Sequence, residues 1–290
     1  MNQTLSGKTI LITGANSGIG KAAAIQMAER GANVVMACRS LERGDPARQD
    51  VITRAENPTV ELMQLDLASQ ASIRAFAEAF KASHSRLDVL IHNAANFDHT
   101  LKKPHLTEDG VETIFATNHV GVFLLTDLLL DLLKASAPSR IITVASKGLT
   151  VFPSLDIDFD NLNGERKFST QSAYYQSKLA QVMYTFDLAQ RLEGSGVTVN
   201  CVRVTNVAIP DDRLTHLPGF LKKLYNLKRK MAITAEQQAE TYTYLAADPQ
   251  VQGVTGGYWD EHNRQVKANR NAYNRQTWQK LWQATAGLVK

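Results

Sequence analysis

The chain has 290 residues, 44% of them hydrophobic and 21% charged, with a formal net charge of +4. That length suits one large α/β domain or two small ones, and the apolar fraction is enough to fill a core, which excludes a disordered chain. A surplus of four positive charges is too modest to argue for a nucleic-acid partner, and no DNA- or RNA-binding motif is present in the sequence. Cys38 and Cys201 each close an apolar run. Both are expected to be small buried hydrophobes in a reducing compartment, not a disulfide. The polar stretch Met1–Gly7 has no signal-peptide pattern, and a cytoplasmic location is expected. The apolar run Val120–Leu133 is interrupted by Thr126, Asp127 and Asp131, which predicts a core helix and not a membrane span.

The first element is the stretch Lys8–Lys21, K-T-I-L-I-T-G-A-N-S-G-I-G-K. An apolar run over Thr9–Ile12 stops at Thr13-Gly14, and an amphipathic run continues from Lys21 to Arg30. This reads as strand, glycine-rich turn and helix. Gly14 permits the tight turn. Gly18 and Gly20 remove side chains so that a ligand and the strand can approach closely. The helix start then offers free N–H groups and the positive end of its dipole to a phosphate. The wording T-G-x-x-x-G-I-G resembles the short-chain dehydrogenase/reductase family. The resemblance implies that Gly14, Asn16, Ser17, Gly18, Ile19, Gly20 and Lys21 line a nicotinamide dinucleotide.

Asn33–Cys38 reads as a second buried strand, followed by Arg39. In a doubly wound fold this end faces the adenosine ribose, where an acidic residue favours NAD. Arg39 stands there instead, and a guanidinium can make paired hydrogen bonds to a 2′-phosphate. With Lys21 close by, the expected cofactor is NADP(H). Leu41–Glu56 reads as a polar helix, Val60–Leu65 as a strand and Gln70–Ser83 as a helix. Between the last two lie Asp66 and Leu67; the resemblance implies that the Asp66 side chain and the next backbone N–H hold the adenine. The other reading of Asp66 is a helix N-cap, a role that Ser69 and Ser72 can also fill.

Leu87–Ile91 reads as a fourth strand and leads into His92-Asn93-Ala94-Ala95. Asn93 and Ala94 match the family's N-N-A-G, whereas His92 and Ala95 depart from it. Asn96–Pro104 reads as a polar loop near the cofactor ribose. Neither His99 nor His105 has metal-ligand spacing, so both are expected at the surface and no metal is expected. Leu106–Leu133 reads as helical, with a turn before Glu112. Asn118 sits inside this apolar helix, where an amide is unfavourable unless its side chain has a task. The resemblance implies that it organises a water relay behind a catalytic lysine.

Arg140–Ala145 reads as a fifth strand ending at Ser146, and Ser172–Leu192 as a helix. Tyr174 and Lys178 are four apart and share a helix face. A phenol titrates near 10, and bringing it to about 7 requires roughly 4 kcal/mol. One ammonium at about 4 Å supplies that order at an effective dielectric of about 20. Tyr174 then serves as proton donor to a carbonyl or proton acceptor from an alcohol, Ser146 orients the same oxygen, and Lys178 also holds the nicotinamide ribose. Tyr175 can face Lys178 too, and spacing alone does not decide; the family's Y-x-x-x-K favours Tyr174. The long segment Gly148–Thr170 and the stretch Gly253–Asp260 resemble the retinol dehydrogenase-like branch.

Val197–Val204 reads as the sixth strand. The family continues with Pro-Gly, but Val204-Thr205 stands here, which leaves Thr205 and Asn206 as substitute nicotinamide contacts. Pro210–Met231 alternates apolar residues with Lys222, Lys223, Lys228, Arg229 and Lys230. It reads as a lid over an apolar substrate or as a helix lying on a membrane surface. Thr234–Ala247 reads as a helix, Thr255–Trp259 as a short strand, and Asn271–Ala286 as a closing helix anchored by Trp278 and Trp282.

The expected fold is a single α/β domain over 1–290, a doubly wound parallel sheet with a substrate lid at 205–232. The expected function is NADP(H)-dependent hydride transfer between the cofactor and a small apolar carbonyl or alcohol, by Asn118, Ser146, Tyr174 and Lys178. A cofactor-binding scaffold with little turnover is the alternative suggested by Val204-Thr205. A C=C reductase resembling protochlorophyllide reductase is suggested by N-A-A. A homodimer through the two long helices follows by analogy with the fold.

Overall fold

The computed structural model describes residues 4–98, 100–208 and 232–289. Seven parallel strands form one sheet in the order β3-β2-β1-β4-β5-β6-β7. They are β1 (Thr9–Thr13), β2 (Asn33–Cys38), β3 (Val60–Gln64), β4 (Val89–His92), β5 (Ser139–Ser146), β6 (Val197–Val204) and β7 (Tyr258–Trp259). Parallel strands need crossovers, and helices cover both faces, which is why the central strands are almost continuously apolar. Side chains alternate between the two cores. Ile10, Ile12, Val34, Met36 and Ile91 pack on one face with α1 (Gly18–Ala28). Leu11, Val35, Ala37 and Leu90 pack on the other, with Ile73, Phe76 and Phe80 of α3 (Gln70–Ser83). The sheet is a single doubly wound domain. Its winding reverses between β1 and β4, so a crevice opens at their carboxyl ends. The remaining helix of the β2–β3 crossover is α2 (Leu41–Ala55).

The elements follow the expected order, with three local differences. The helical run begins at Thr113 and not at Leu106. Glu112 caps it, its carboxylate accepting from Ile114 N (3.0 Å) and Phe115 N (2.9 Å), while Leu106 and Glu112 pair as an isolated bridge. The run proceeds as α4 (Thr113–Phe115), a π-helical turn (Ala116–Val120) and α5 (Gly121–Ala135). By length and composition it is apolar enough to cross a membrane, but 72% of its most apolar window is buried inside the protein, as a core helix requires. The last strand covers only Tyr258–Trp259, because Gly256 turns the chain at φ +71°. The closing helix starts at Arg275, where Asn274 accepts from Gln276 N and Thr277 N.

Two further helices complete the layers, α6 (Thr170–Arg191) and α7 (Ala235–Ala247), before the closing helix α8 (Arg275–Leu288). Trp278 and Trp282 do pack α8 onto the body: Trp278 Nε1 donates to Ala272 O (2.7 Å), and Trp282 lies 4.8 Å from the Phe123 ring. Cys38 and Cys201 are buried free thiols. The expected lid and amphipathic segment Pro210–Met231 and His99 lie outside the described residues. The ends flanking that segment are tied together, Ala208 N donating to Ile233 O at 3.0 Å.

Two buried histidines make the fold acid-sensitive. His92 Nε2 pairs with Thr126 Oγ1 (2.8 Å), and His119 with Thr285 Oγ1 (2.9 Å) and Gln181 Nε2 (3.2 Å). Burial pushes both imidazoles down to about 3. Below 6.5 the unfolded chain takes up protons that the folded chain refuses, so stability falls with pH between about 6.5 and 3. At pH 5 each histidine is expected to cost about 2 kcal/mol relative to pH 7.5. Urea unfolding midpoints at the two pH values check this, and the His92→Asn/His119→Asn variant is expected to flatten the dependence.

Candidate active site

The glycine-rich turn fills the crevice where β1 and β4 end. Gly14 sits at φ +66°, and a Cβ there would meet Ala94 Cα at 2.9 Å. A Cβ on Gly20 would run into Asn93 Nδ2 and, at 2.7 Å, into Gly14 O. Asn93 Nδ2 donates to Thr13 O (2.9 Å), and Ala94 N donates to Thr13 Oγ1 (3.0 Å). Asn93 and Ala94 therefore lock the turn against the sheet. Asn93 Oδ1 also accepts from Tyr242 of α7 at 3.3 Å. Gly18 is different: at φ +55°, its missing Cβ would face open space.

Ser17 is the N-cap of α1, yet its side chain does not cap the helix, and the first turn has no acidic residue. Uncapped N–H groups, a positive dipole end and glycine in place of bulk make a cradle that fits a diphosphate. Asn16, Ser17 and Ile19 are half-buried around it. The Cys38 thiol lies beneath, against the backbone N–H groups of Ala15 and Asn16.

Lys21 is not a free charge, since its Nζ pairs with Asp50 of α2 at 2.7 Å. The Arg39 side chain is exposed at the end of β2. Asp66 does not cap α3; Ser69 does, accepting from Ser72 N at 3.2 Å. The Asp66 carboxylate instead accepts from Ala68 N (2.9 Å). Leu67 is a core side chain, and its carbonyl presses on Gly121 so closely that a Cβ there would collide.

Ser146, Tyr174, Lys178 and Asn118 converge on the same side of the sheet edge. The Tyr174 phenol lies beside the Ser146 hydroxyl, near enough to be influenced by it, and the Ser146 oxygen accepts from Gly148 N at 3.1 Å. Lys178 is 2% exposed and its Nζ donates to Val144 O at 2.9 Å, which uses one of three N–H bonds. Asn118 lies in the π-turn, a departure from α-helix that recurs at functional sites. Its Nδ2 donates to Ser177 Oγ and to Asn96 O, both at 3.0 Å, and its Oδ1 accepts from Asn96 N at 2.6 Å. Ser177 in turn donates to Tyr174 O at 2.7 Å.

Tyr175 points elsewhere. Its ring packs 4.7 Å from Phe152, and its hydroxyl end occupies the space where Gly148 would carry a Cβ. The phenol beside Ser146 is thus that of Tyr174.

One electrostatic expectation is corrected. Burial pushes Tyr174 up to about 12, and the Ser146 hydroxyl only partly offsets it. The Lys178 ammonium is 5.7 Å from the ring centroid and is itself pushed down to about 8 by burial. In the protein by itself, desolvation outweighs the lysine's field.

Thr205 is half-buried at the end of β6, with its N–H donated to Gln238 Oε1 at 3.0 Å. Sequence reasoning missed Ser177, Gln238, Tyr242 and Phe97. Gln238 and Tyr242 come from an element distant in the chain and carry no local signal, and Ser177, next to Lys178 on α6, has nothing in its spacing to mark it. Phe97 did carry one, as the only Phe, Tyr or Trp in the mostly polar stretch Asn96–Pro104.

A family profile described as short chain dehydrogenase matches residues 8–155. Retinol dehydrogenase 14 of Homo sapiens is 41% identical over 303 residues, covering 99% of this chain and 88% of that protein. Retinol dehydrogenase 13 of Homo sapiens is 42% identical over 294 residues, covering 99% and 86%. Among solved structures, an uncharacterized protein from Mycobacterium Paratuberculosis aligns with a TM-score of 0.74 at 28% identity, covering 99% of this chain and 95% of that one. With likeness running from one end of the chain to the other, the protein belongs to the short-chain dehydrogenase family, in its retinol dehydrogenase-like branch, and is an oxidoreductase that transfers a hydride with a nicotinamide cofactor.

Proposed function

We propose that the protein reduces the carbonyl of an apolar substrate, or oxidises the matching alcohol, with NADP(H). The observation that carries this reading is the Tyr174 phenol set beside Ser146 at the mouth of the glycine-rich crevice, with Lys178 one turn along the same helix. The uncapped start of α1 and the side-chain-free positions Gly14, Gly18 and Gly20 suit the dinucleotide's diphosphate. Arg39, with no acidic residue in its place, favours the 2′-phosphate. Asp66 and the Leu67 backbone would hold the adenine, Asn93 and Ala94 the ribose side, and Thr205 the nicotinamide side. Bound there, the nicotinamide supplies or accepts the hydride.

The chain's own residues handle the proton and the oxygen. Burial keeps the Tyr174 phenol protonated at neutral pH, so it can donate to a carbonyl oxygen as negative charge develops on it. Ser146 donates a second hydrogen bond to that oxygen and fixes its position. Two N–H bonds of Lys178 remain for ribose hydroxyls, and its charge favours the phenolate left behind. Asn118 acts one step back: through Ser177 it supports the backbone of Tyr174, and through Asn96 it fixes the loop opposite. Relatives named for retinol support an apolar alcohol or aldehyde as substrate. Buried free thiols at Cys38 and Cys201 support a reducing, cytoplasmic setting.

Titration with NADPH and NADH, followed by the reduced nicotinamide's fluorescence, tests the cofactor. NADPH is expected to bind at least about tenfold more tightly, the worth of one charge-assisted pair. Arg39→Asp is expected to erase that preference; equal affinities in the unmodified protein would refute the Arg39 reading. The proton role is tested by Tyr174→Phe, which is expected to lower kcat by about 10²–10⁴ while NADPH affinity stays within about threefold.

A further inference from the structure

Phe97 is 47% exposed, one of few large apolar side chains so placed among the described residues. Its ring lies 4.3 Å from the Tyr174 ring, centroid to centroid, tilted by 33°. The phenol's polar end is therefore turned to Ser146 while its ring is flanked by an aromatic wall. The loop bearing this wall is tied to the site at both ends. Asn118 clamps both the N–H and the C=O of Asn96, and Thr170, at the start of α6, donates to Leu101 O at 3.0 Å. Between the ties, Asp98 Oδ1 accepts from Thr100 N at 3.0 Å and holds a local turn. Phe97 is thus presented by a braced loop.

We infer that Phe97 is a specificity-determining residue, a wall that selects carbonyl compounds in which an aromatic ring is joined directly to the C=O over short alkyl ones. The inference rests on the hydride-transfer reading of the same site. An aryl carbonyl has its hydrogen-bonding oxygen and its flat apolar face in one rigid plane. Oxygen at Ser146 and Tyr174 then brings the aromatic ring beside Phe97, where offset or edge-to-face packing is favourable. A short alkyl chain covers less of the wall and has no π face, so removing the wall costs it little.

The test compares the full-length protein with Phe97→Ala and Phe97→Tyr, each saturated with NADPH. The readouts are kcat/KM for benzaldehyde and for butanal, and calorimetric binding of benzamide, an unreactive aryl carbonyl. Phe97→Ala is expected to lower kcat/KM for benzaldehyde and the affinity for benzamide about tenfold each, with butanal within about twofold. Phe97→Tyr is expected to restore both. A parallel fall for benzaldehyde and butanal would mean that Phe97 only positions Tyr174, and would overturn the inference. So would benzamide affinity that is unchanged in Phe97→Ala or absent in the parent. Should the parent protein reduce neither aldehyde, the hydride-transfer reading fails, while benzamide binding still decides the role of Phe97.

Discussion

The site depends on a place where the glycine-rich turn packs against the end of β4 with no room for a Cβ. Gly20 of α1 abuts Asn93 after β4, and Gly14 abuts Ala94. The contact closes the crevice at the sheet's switch point to one fixed width. Asn93 turns it into a junction, donating to the β1 carbonyl and accepting from Tyr242 of α7. The start of α1 is therefore aimed by the sheet, by β4 and by a helix from the far end of the chain. Preorganised N–H groups of this kind bind an anion without first having to be ordered.

A second junction governs the chemistry. The π-turn carries Asn118 buried in a helix that is largely apolar. Its three hydrogen bonds reach the Asn96 peptide on one side and Ser177 on the other. A buried amide with its partners in place is specific, whereas one without them would be costly. The loop with Phe97 and the helix with Tyr174 are thus held against one another by Asn118 at one end of the loop and by Thr170 at the other. Tyr174, Ser146 and Phe97 are thereby held on one braced surface.

Burial sets the charge states there. It pushes Tyr174 up and Lys178 down, and their separation is too large for the ammonium to reverse the first effect. The phenol rests as an acid. That state suits donation to a carbonyl, and the opposite direction needs further positive charge near the ring.

The sequence by itself determined the alternation of strands and helices, the turn at Gly14–Gly20, and the shared helix face of Tyr174 and Lys178. Each is set by local periodicity or by glycine's backbone freedom, which act over a few residues. It also marked Ser146 and Asn118, the one as a polar end to an apolar strand, the other as an amide in an apolar helix. Only the tertiary structure set Tyr174 beside Ser146 and packed the Tyr175 ring against Phe152 and Gly148. It alone assigned the α3 cap to Ser69, paired Lys21 with Asp50, and started the central helix at Thr113 under the Glu112 cap. It also placed Phe97 on Tyr174, across 77 residues of chain. These outcomes depend on which distant groups share a volume and how much water is excluded from it, and neither quantity is written in the spacing of residues along the chain.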